Sequence, residues 1–483
     1  MPVLIRIALR NLREHTSKSL IIGTLIVLGV IIIVVGNSLL DTAQAGVHRM
    51  FIDNYTGDVF LSGVPRTPGA SVSLFGLQGA GDAETTPVLP DFDAVRAHLQ
   101  SDPRVKGVTS QITGTGLVTV EGNDNRTMAI LFGIDPETYP RLFHGSFLVE
   151  GSYLKPGEEG MLVSREWLNG AEKALKTPLR VGDKVMINGF GKAGFKIREA
   201  TIVGVVDFGA ESAGMGMIAW ANADTVRILS GVDVTAEDVV LSKEQTALLE
   251  AKSEDAIFAA PESTVDAAQA RQPATAATRP SPKAVPSSAG SWNFILVRLK
   301  DSGQTAGFLA ETNAWLASQG IAAKAGGWEA AAGPFVQSID VVRIVFSVAI
   351  LIVAIVAIII IMNTLVISVI ERTGEIGTMR ALGAEKRFVW LMFLAETLTV
   401  TIVFGIVGIA LASAIIGAVN LAQIHATSPW LQIIFGGKVL RMAIRPLSFA
   451  STLLMVAAVG LVSHLYPVIV ALKVPPVRAM QGE

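Results

Sequence analysis

The chain has 483 residues, 51% of them hydrophobic and 17% charged, with a formal net charge of −2 and a mean hydropathy of +0.51. A soluble domain is about a quarter charged, so the charge deficit and positive hydropathy point to a membrane protein, and the near-neutral balance argues against a nucleic-acid binder. Cysteine is absent, which removes disulfides, thiolate metal sites and cysteine nucleophiles.

Residues 1–18 form a basic lead-in carrying Arg6, Arg10, Arg13 and Lys18. The apolar run 19–40, SLIIGTLIVLGVIIIVVGNSLL, follows, and about 20 such residues cross a bilayer core as a helix. Ala43-Gln44-Ala45 resembles a signal-cleavage site. The run is longer than the roughly 7–15 residues of a signal h-region, so an uncleaved first span is expected.

Residues 41–339 read as one large α+β domain between the first two spans. It opens with a helical stripe, Leu40, Ala43, Val47, Met50 and Phe51, which would continue span one as a stalk. GDVFLSG alternates as a strand does, and the glycine-rich stretch 62–87 reads as a loop. FDAVRAHLQSDP predicts a helix starting at Asp91. VKGVTSQITGTGLVTVEGN and NRTMAILFGIDPE predict paired strands around an Asn/Asp/Gly turn. MLVSREWLNGAEKAL predicts a helix, and VGDKVMING with FKIREATIVGVVDFG a second hairpin. The Ala/Pro/Ser/Thr-rich segment 259–290 buries too little apolar surface to order itself and reads as a flexible insert. A strand (SWNFILVRLK), a helix (GQTAGFLAETNAWLASQG) and a last strand (IAAKAG) close the domain. The segment WEAAAGPFVQSIDVVRIVF then leads into the second span as another stalk element.

Three more apolar runs complete the membrane part: 340–367, 389–419 and 447–472. The segment 368–388 lies between spans two and three, 420–446 is a short loop, and 473–483 is a tail. Lys and Arg gather on cytoplasmic flanks. The lead-in, Arg372, Arg380, Lys386 and Arg387, and the tail residues Lys473 and Arg478 all fall on one side of a four-span chain. The cytoplasm is therefore expected there. Lys438, Arg441 and Arg445 in the 420–446 loop run against that rule.

Enzymatic signals are missing. The histidines His15, His48, His98, His144, His425 and His464 show no metal-ligand spacing, and no GxSxG elbow occurs. A phosphate loop needs GxxxxGK followed by Ser or Thr. Gly189-Phe-Gly-Lys192 and Gly436-Gly-Lys438 lack both the first glycine at that spacing and the hydroxyl. No catalytic, cofactor or metal residue is nominated.

The segment ERTGEIGTMRALGAEKR at 371–387 fits either a short amphipathic helix on the membrane face or a solvated reversal. Its three glycines disfavour a straight continuation of span two. Glu396 in span three is read as lying near the cytoplasmic interface. The small residues Gly405, Gly408, Ala412 and Gly417, and Gly23, Gly29 and Gly36 in span one, allow close helix packing, either within the chain or across a dimer.

The run from Asn363 through Ser368, Glu371-Arg372, Glu375-Ile376-Gly377 and Arg380-Ala381-Leu382-Gly383-Ala384 to Glu396 resembles the signature of FtsX-like ABC transporter permeases of the MacB and LolC/LolE type. Tyr466-Pro467 with the KVPPVRAM tail, the opening IALRNLREHTSKSLI, and VEGSYLKPGEEGMLVSREWL with VGDKVMING extend the likeness over nearly the whole chain. The resemblance implies an α-helical membrane protein with four transmembrane helices and a large extracytoplasmic α+β domain between helices 1 and 2. It implies the bacterial inner membrane, with both termini cytoplasmic and the large domain in the periplasm. It makes 368–388 a coupling helix, with Glu371, Arg372, Gly374, Glu375, Ile376, Gly377, Met379, Arg380, Ala381, Leu382, Gly383 and Ala384 as ATPase-coupling residues. ATP and Mg would be held by two copies of a separate cytoplasmic ABC ATPase, and a second permease chain would complete a homo- or heterodimer. In the lipoprotein-releasing branch acyl chains enter between spans one and two, which nominates Ile31, Val34, Val348 and Ile352 as substrate- or lipid-facing. The function implied first is lipoprotein release by mechanotransmission. The alternatives are efflux with a periplasmic adaptor, and a signalling scaffold controlling a cell-wall hydrolase.

Overall fold

The computed structural model describes residues 16–79, 85–191, 194–209, 215–232, 290–428, 431–432, 435 and 437–473. Apart from Gly290, the 259–290 insert lies outside the described residues, as do the lead-in before Thr16 and the tail beyond Lys473.

Helix α1, Thr16–Phe51, is 36 residues long. At 1.5 Å per residue that is about 54 Å, well beyond a hydrocarbon core of about 30 Å. The excess is the stalk, and the stripe from Leu40 to Phe51 is helical without a break. One turn of π-helix, Ile52–Thr56, ends it. Gly57, at φ +67°, then swings the chain into strand β1 (Val59–Gly63). A Cβ at Gly57 would lie 2.5 Å from the Val297 carbonyl oxygen, so both the dihedral and the space demand glycine.

Strands β2 (Ser71–Ser73) and β3 (Gly76–Gln78) form a small hairpin inside the stretch read as loop. Its cause is an anchor rather than alternation. Leu74 is fully buried at the turn, and its N–H donates to the Ala331 carbonyl at 2.9 Å. Helix α2 (Phe92–Ser101), strands β4 (Val105–Thr119) and β5 (Thr127–Ile134), the short helix α3 (Tyr139–Leu142) and strands β6 (Ser146–Gly151) and β7 (Gly160–Ser164) follow. The run predicted as one helix from Met161 divides. Met161, Leu162 and Val163 end β7, and helix α4 is Arg165–Leu175. β7 is a central strand between β10 and β9, so its residues are buried on both faces, and such an apolar run cannot be told from a helix by periodicity. Ser164 caps α4 by accepting from Trp167 N at 3.0 Å.

Strands β8 (Lys184–Gly191) and β9 (Gly194–Phe208) pair antiparallel. Strand β10 (Ile218–Asn222), helix α5 (Ala223–Ser230), strand β11 (Phe294–Leu299), helix α6 (Thr305–Ser318), strand β12 (Ala323–Gly327) and helix α7 (Trp328–Ala332) complete the domain. Helices α8 (Pro334–Glu371), α9 (Thr373–Ala381), α10 (Lys386–Ala422) and α11 (Pro446–Lys473) complete the chain.

Among the described residues one large sheet runs β12-β1-β11-β4-β5-β10-β7-β9-β6, and β8 bridges β4 to β9. Strands β4, β5, β10, β7, β9 and β8 thus close a hydrogen-bonded ring. β11, β1 and β12 extend from the ring as a wing. The sheet is mixed, since β10 joins β5 and β7 joins β9 in parallel. The wing packs α2 and α6 over Val59, Leu61, Ile295 and Val297. The ring is filled by residues such as Leu131, Val163, Ile187 and Ile202, under Trp167 of α4 and Val226 of α5.

A third core joins the domain to its stalk. Val47, Met50, Phe51 and Tyr55 from the end of α1 meet Phe132, Phe208, Trp220 and Phe294 of the sheet, with Phe335 of α8 packed against them. Tyr55 lies parallel to Trp220 at 6.2 Å, and its hydroxyl accepts from Met215 N at 3.0 Å.

Four helices among the described residues are long and apolar enough to cross a membrane. α1 packs on α10 and α8, and α11 on both α8 and α10, around Ile26, Val30, Val34, Ile361, Val400 and Val456. Methyl groups added at Gly23, Gly36 and Gly408 would collide with Phe404, Phe346 and Val30, so these glycines serve packing within the chain. Gly29 and Gly417 face open space. The outward cations also acquire partners. Lys438 sits 2.7 Å from Asp207 on β9, and Arg445 3.7 Å from Asp41 on the stalk.

Two outcomes test this architecture. Phe51→Ala should cost about 3–5 kcal/mol, read as a lower unfolding midpoint of the purified chain in detergent. Burial pushes the Glu166 carboxyl above its ordinary range, and Asp207 nearby adds to the effect. A raised folded-state value makes stability fall as pH rises past the unfolded value of about 4.3. Glu166→Gln should therefore raise the midpoint at neutral pH and leave it unchanged in the acid range below that value.

Candidate functional site at the elbow between the second and third spans

α8 ends where Arg372 leaves helical geometry, at φ −100° and ψ 16°. α9 then runs for nine residues, Thr373–Ala381. Its end is a left-handed glycine cap. Gly383, at φ +99°, donates to the Arg380 carbonyl at 3.2 Å, and Ala384 donates to the Met379 carbonyl at 3.0 Å. These two bonds satisfy carbonyls that a helix end leaves open. The letters ALGA thus encode a stop, and α10 restarts after Glu385.

The elbow is seated on the bundle. Ile376 is 1% exposed and joins Val369, Val389, Met392, Phe393 and Val468 in one apolar cluster, with Met379 and Trp390 against it. Gly377 is buried on the same side. Arg372 is the polar counterpart. Its guanidinium donates to Glu375 at 3.1 Å and to both oxygens of Glu396 at 3.2 and 3.3 Å, and it lies 6.0 Å from the Phe393 ring. Arg372 is 11% and Glu396 17% exposed. A charge pair this dry is costly to break from one side, because the survivor stays buried and unpaired. The pair fastens the corner of the elbow to α10, about three turns from that helix's start.

The nominated coupling residues therefore divide. Ile376 and Gly377 face inward. Arg372, Met379, Arg380 and Ala384 are half-buried. Glu371, Gly374, Glu375, Ala381, Leu382 and Gly383 are exposed, with Leu382 at 89%. Glu396 was read by depth alone as an interfacial residue. Its pairing with Arg372 is not legible from depth; the usable signal is that Glu396 is the lone charge within the apolar run 389–419. The residues nominated toward substrate or lipid also divide. Val34 is buried in the bundle core and Ile31 is half-buried against it. Val348 and Ile352 are exposed on α8. His464 is buried against Trp390. Among the described residues no group of His, Asp and Glu is placed to hold a metal.

The chain matches two family models: a MacB-like periplasmic core domain over residues 19–313 and an FtsX-like permease C-terminal region over 347–476. Over 123 residues it is 36% identical to the macrolide export ATP-binding/permease protein MacB of Bdellovibrio bacteriovorus, covering 26% of this chain and 17% of that protein. Over 123 residues it is 32% identical to the uncharacterized ABC transporter permease YvrN of Bacillus subtilis, covering 26% of each. The matched stretch is thus about a quarter or less of these relatives' length. The periplasmic region of MacB from Actinobacillus actinomycetemcomitans overlays 59% of this chain and 94% of that one at 11% identity, with a TM-score of 0.31, too low to carry an argument.

The cysteine-free sequence makes the seating of α9 directly measurable. Ile376→Cys should resist a membrane-permeant maleimide in the otherwise native chain. Adding Glu396→Ala should open it to rapid labelling, whereas unchanged protection would mean that the ion pair does not hold the elbow down.

Proposed function

The chain belongs to the family of ABC transporter permeases with a MacB-like periplasmic core and an FtsX-like C-terminal region, and from that premise we propose that it is the permease of a mechanically driven transporter in the bacterial inner membrane. A cytoplasmic ABC ATPase, on a separate polypeptide and in two copies, docks on the exposed face of α9. A second permease chain completes the complex. ATP and Mg belong to the ATPase. Both ends of the permease are cytoplasmic and the large domain is outside.

The observation that carries this reading is the build of the elbow. Its outer face offers Glu375, Leu382 and the Gly383 turn to a partner, while Ile376 and Arg372 lock its inner face to α10. A push on the exposed face is thus passed to rigid helices instead of being absorbed by a loose loop. α8 and α1 continue as stalks into the aromatic core beneath the sheet, which supports transmission to the outer domain.

We read the cargo as a lipid-modified protein, released from the outer leaflet. Val348 and Ile352 leave an apolar face of α8 exposed within the second span, where acyl chains could pack. A polar conduit would want ionisable groups along the spans, whereas Glu396 is committed to Arg372. The likeness to the macrolide export protein of Bdellovibrio favours a second reading, small-molecule export.

Co-purification with the ATPase, followed by mass spectrometry of what accompanies the complex, separates the two: an acylated protein supports release, and a small molecule or an adaptor supports export. A cell-wall hydrolase in their place would overturn both in favour of a signalling scaffold. Glu375→Ala with Arg380→Ala should uncouple ATP turnover from cargo, and Leu382→Asp should weaken ATPase capture by about tenfold, on the order of one buried apolar contact. Unchanged binding and transport in these variants would remove the coupling role.

A further inference from the structure

The loop between α10 and α11 is bound at both of its faces. Within the loop, His425 bridges Val439, Ala426 N–H donates to the Lys438 carbonyl and Leu440 N–H to the Ile424 carbonyl, each at 2.9 Å. Asn420, at the top of α10, exchanges two side-chain bonds with the Met442 backbone at 3.0 and 2.8 Å. Toward the stalk, Ala443 donates to Thr42 Oγ1 at 3.0 Å and accepts from Ser38 Oγ at 2.6 Å. The described residues of the loop are therefore fastened to one another, to the top of α10 and to the stalk. Toward the outer domain, Lys438 Nζ reaches Asp207 Oδ1 at 2.7 Å.

The position of Asp207 gives this contact its interest. The covalent links between membrane and outer domain enter at the wing: α1 leads to β1, and β12 leads through α7 to α8. β9, which carries Asp207, belongs to the ring and reaches the wing through β8 and β4. Phe208, the next residue, packs on Tyr55 of the stalk, and Lys438 adds a charged link from β9 to the loop between the third and fourth spans.

The contact is also built to break at low cost. Losing one member of a dry ion pair normally strands the other. Asp207 has reserves: Arg165 Nε stands 3.7 Å from its second oxygen, and Phe208 N–H donates to Oδ1 at 2.7 Å. Lys438 is one-third exposed, so its ammonium can return to water. Arg372 and Glu396 at the elbow are drier, with one guanidinium nitrogen shared between both carboxylate oxygens. The two pairs differ as a latch differs from a rivet.

We propose that Lys438 and Asp207 form a latch that opens and closes in each transport cycle, through which the α10–α11 loop passes movement of the third and fourth spans to the ring of the outer domain. This rests on the chain being an ATP-driven permease.

The test uses the full chain, whose lack of native cysteine leaves Lys438→Cys/Asp207→Cys as the sole thiols. A disulfide requires Cβ atoms about 4 Å apart, closer than a lysine–aspartate pair, so a reversible bis-methanethiosulfonate with a two-carbon spacer is the probe. In resting membranes the double variant should give a mobility-shifted band that either single variant lacks; no band would overturn the contact itself. In the complex with its ATPase, trapping with ATP and vanadate should lower crosslinking about fivefold or more, in the range of ordinary coupling between sites. The crosslinked complex should show less cargo-coupled ATP turnover than the same double variant after reduction, in which neither a crosslink nor an ion pair holds the loop. Crosslinking that ignores nucleotide, or full turnover in the crosslinked form, would overturn the latch while leaving the permease reading intact. No ATP turnover in the untreated wild-type complex would sink the permease reading, and the latch with it.

Discussion

The structure depends on an aromatic junction at the top of the first helix. A helix that leaves a bilayer must either end in water or bury its apolar stripe against something else. Here Val47, Met50, Phe51 and Tyr55 bury theirs against Phe132, Phe208, Trp220 and Phe294. Tyr55 is fully buried and its hydroxyl is satisfied by Met215 N, so burial drives its ionisation far above the usual phenol range without leaving a polar orphan. Because these side chains are close-packed, the end of α1 is held firmly against this face of the sheet. Any scheme in which the outer domain answers to the membrane needs that rigidity.

The same logic, with different chemistry, governs the elbow between the second and third spans. The junction outside is apolar and large. The elbow is small, and α9 has only nine residues, too few for a helix to be stable without tertiary packing. It is held by one apolar anchor, Ile376, one buried ion pair, Arg372 with Glu396, and one glycine cap at Gly383. Each device serves a separate need: hydrophobic burial sets the face, the charge pair sets the corner, and the left-handed glycine sets the exit. Leu382 stays exposed after these needs are met.

Charge placement follows from these contacts as well. Lys438 and Arg445 contradict a simple count of basic residues by side, yet they sit against Asp207 and Asp41. A flank cation neutralised by a folded carboxylate is answering a structural requirement. Only the basic residues without such a role carry orientation information, and a sequence does not mark which those are.

What the sequence by itself determined is local and periodic. Apolar runs of sufficient length specify spans, because no backbone can cross hydrocarbon without internal hydrogen bonds. The helical stripe to Phe51, the Asn/Asp/Gly turn after β4 and the helix after Asp91 were legible for the same reason: near neighbours along the chain dictate them. The resemblance carried by ERTGEIG and ALGA identified the family and the elbow. Tertiary structure decided what depends on residues far apart. MLVS became a strand only because β10 and β9 flank it. Leu74 organised a hairpin only because Ala331 offered a carbonyl. Val34 turned inward because α10 and α11 close the bundle around α1. Arg372 and Glu396 lie 24 positions apart, and Asp207 and Lys438 lie 231 apart. Pairing across such distances is set by how helices and strands pack in space, and no period or propensity along a chain records it.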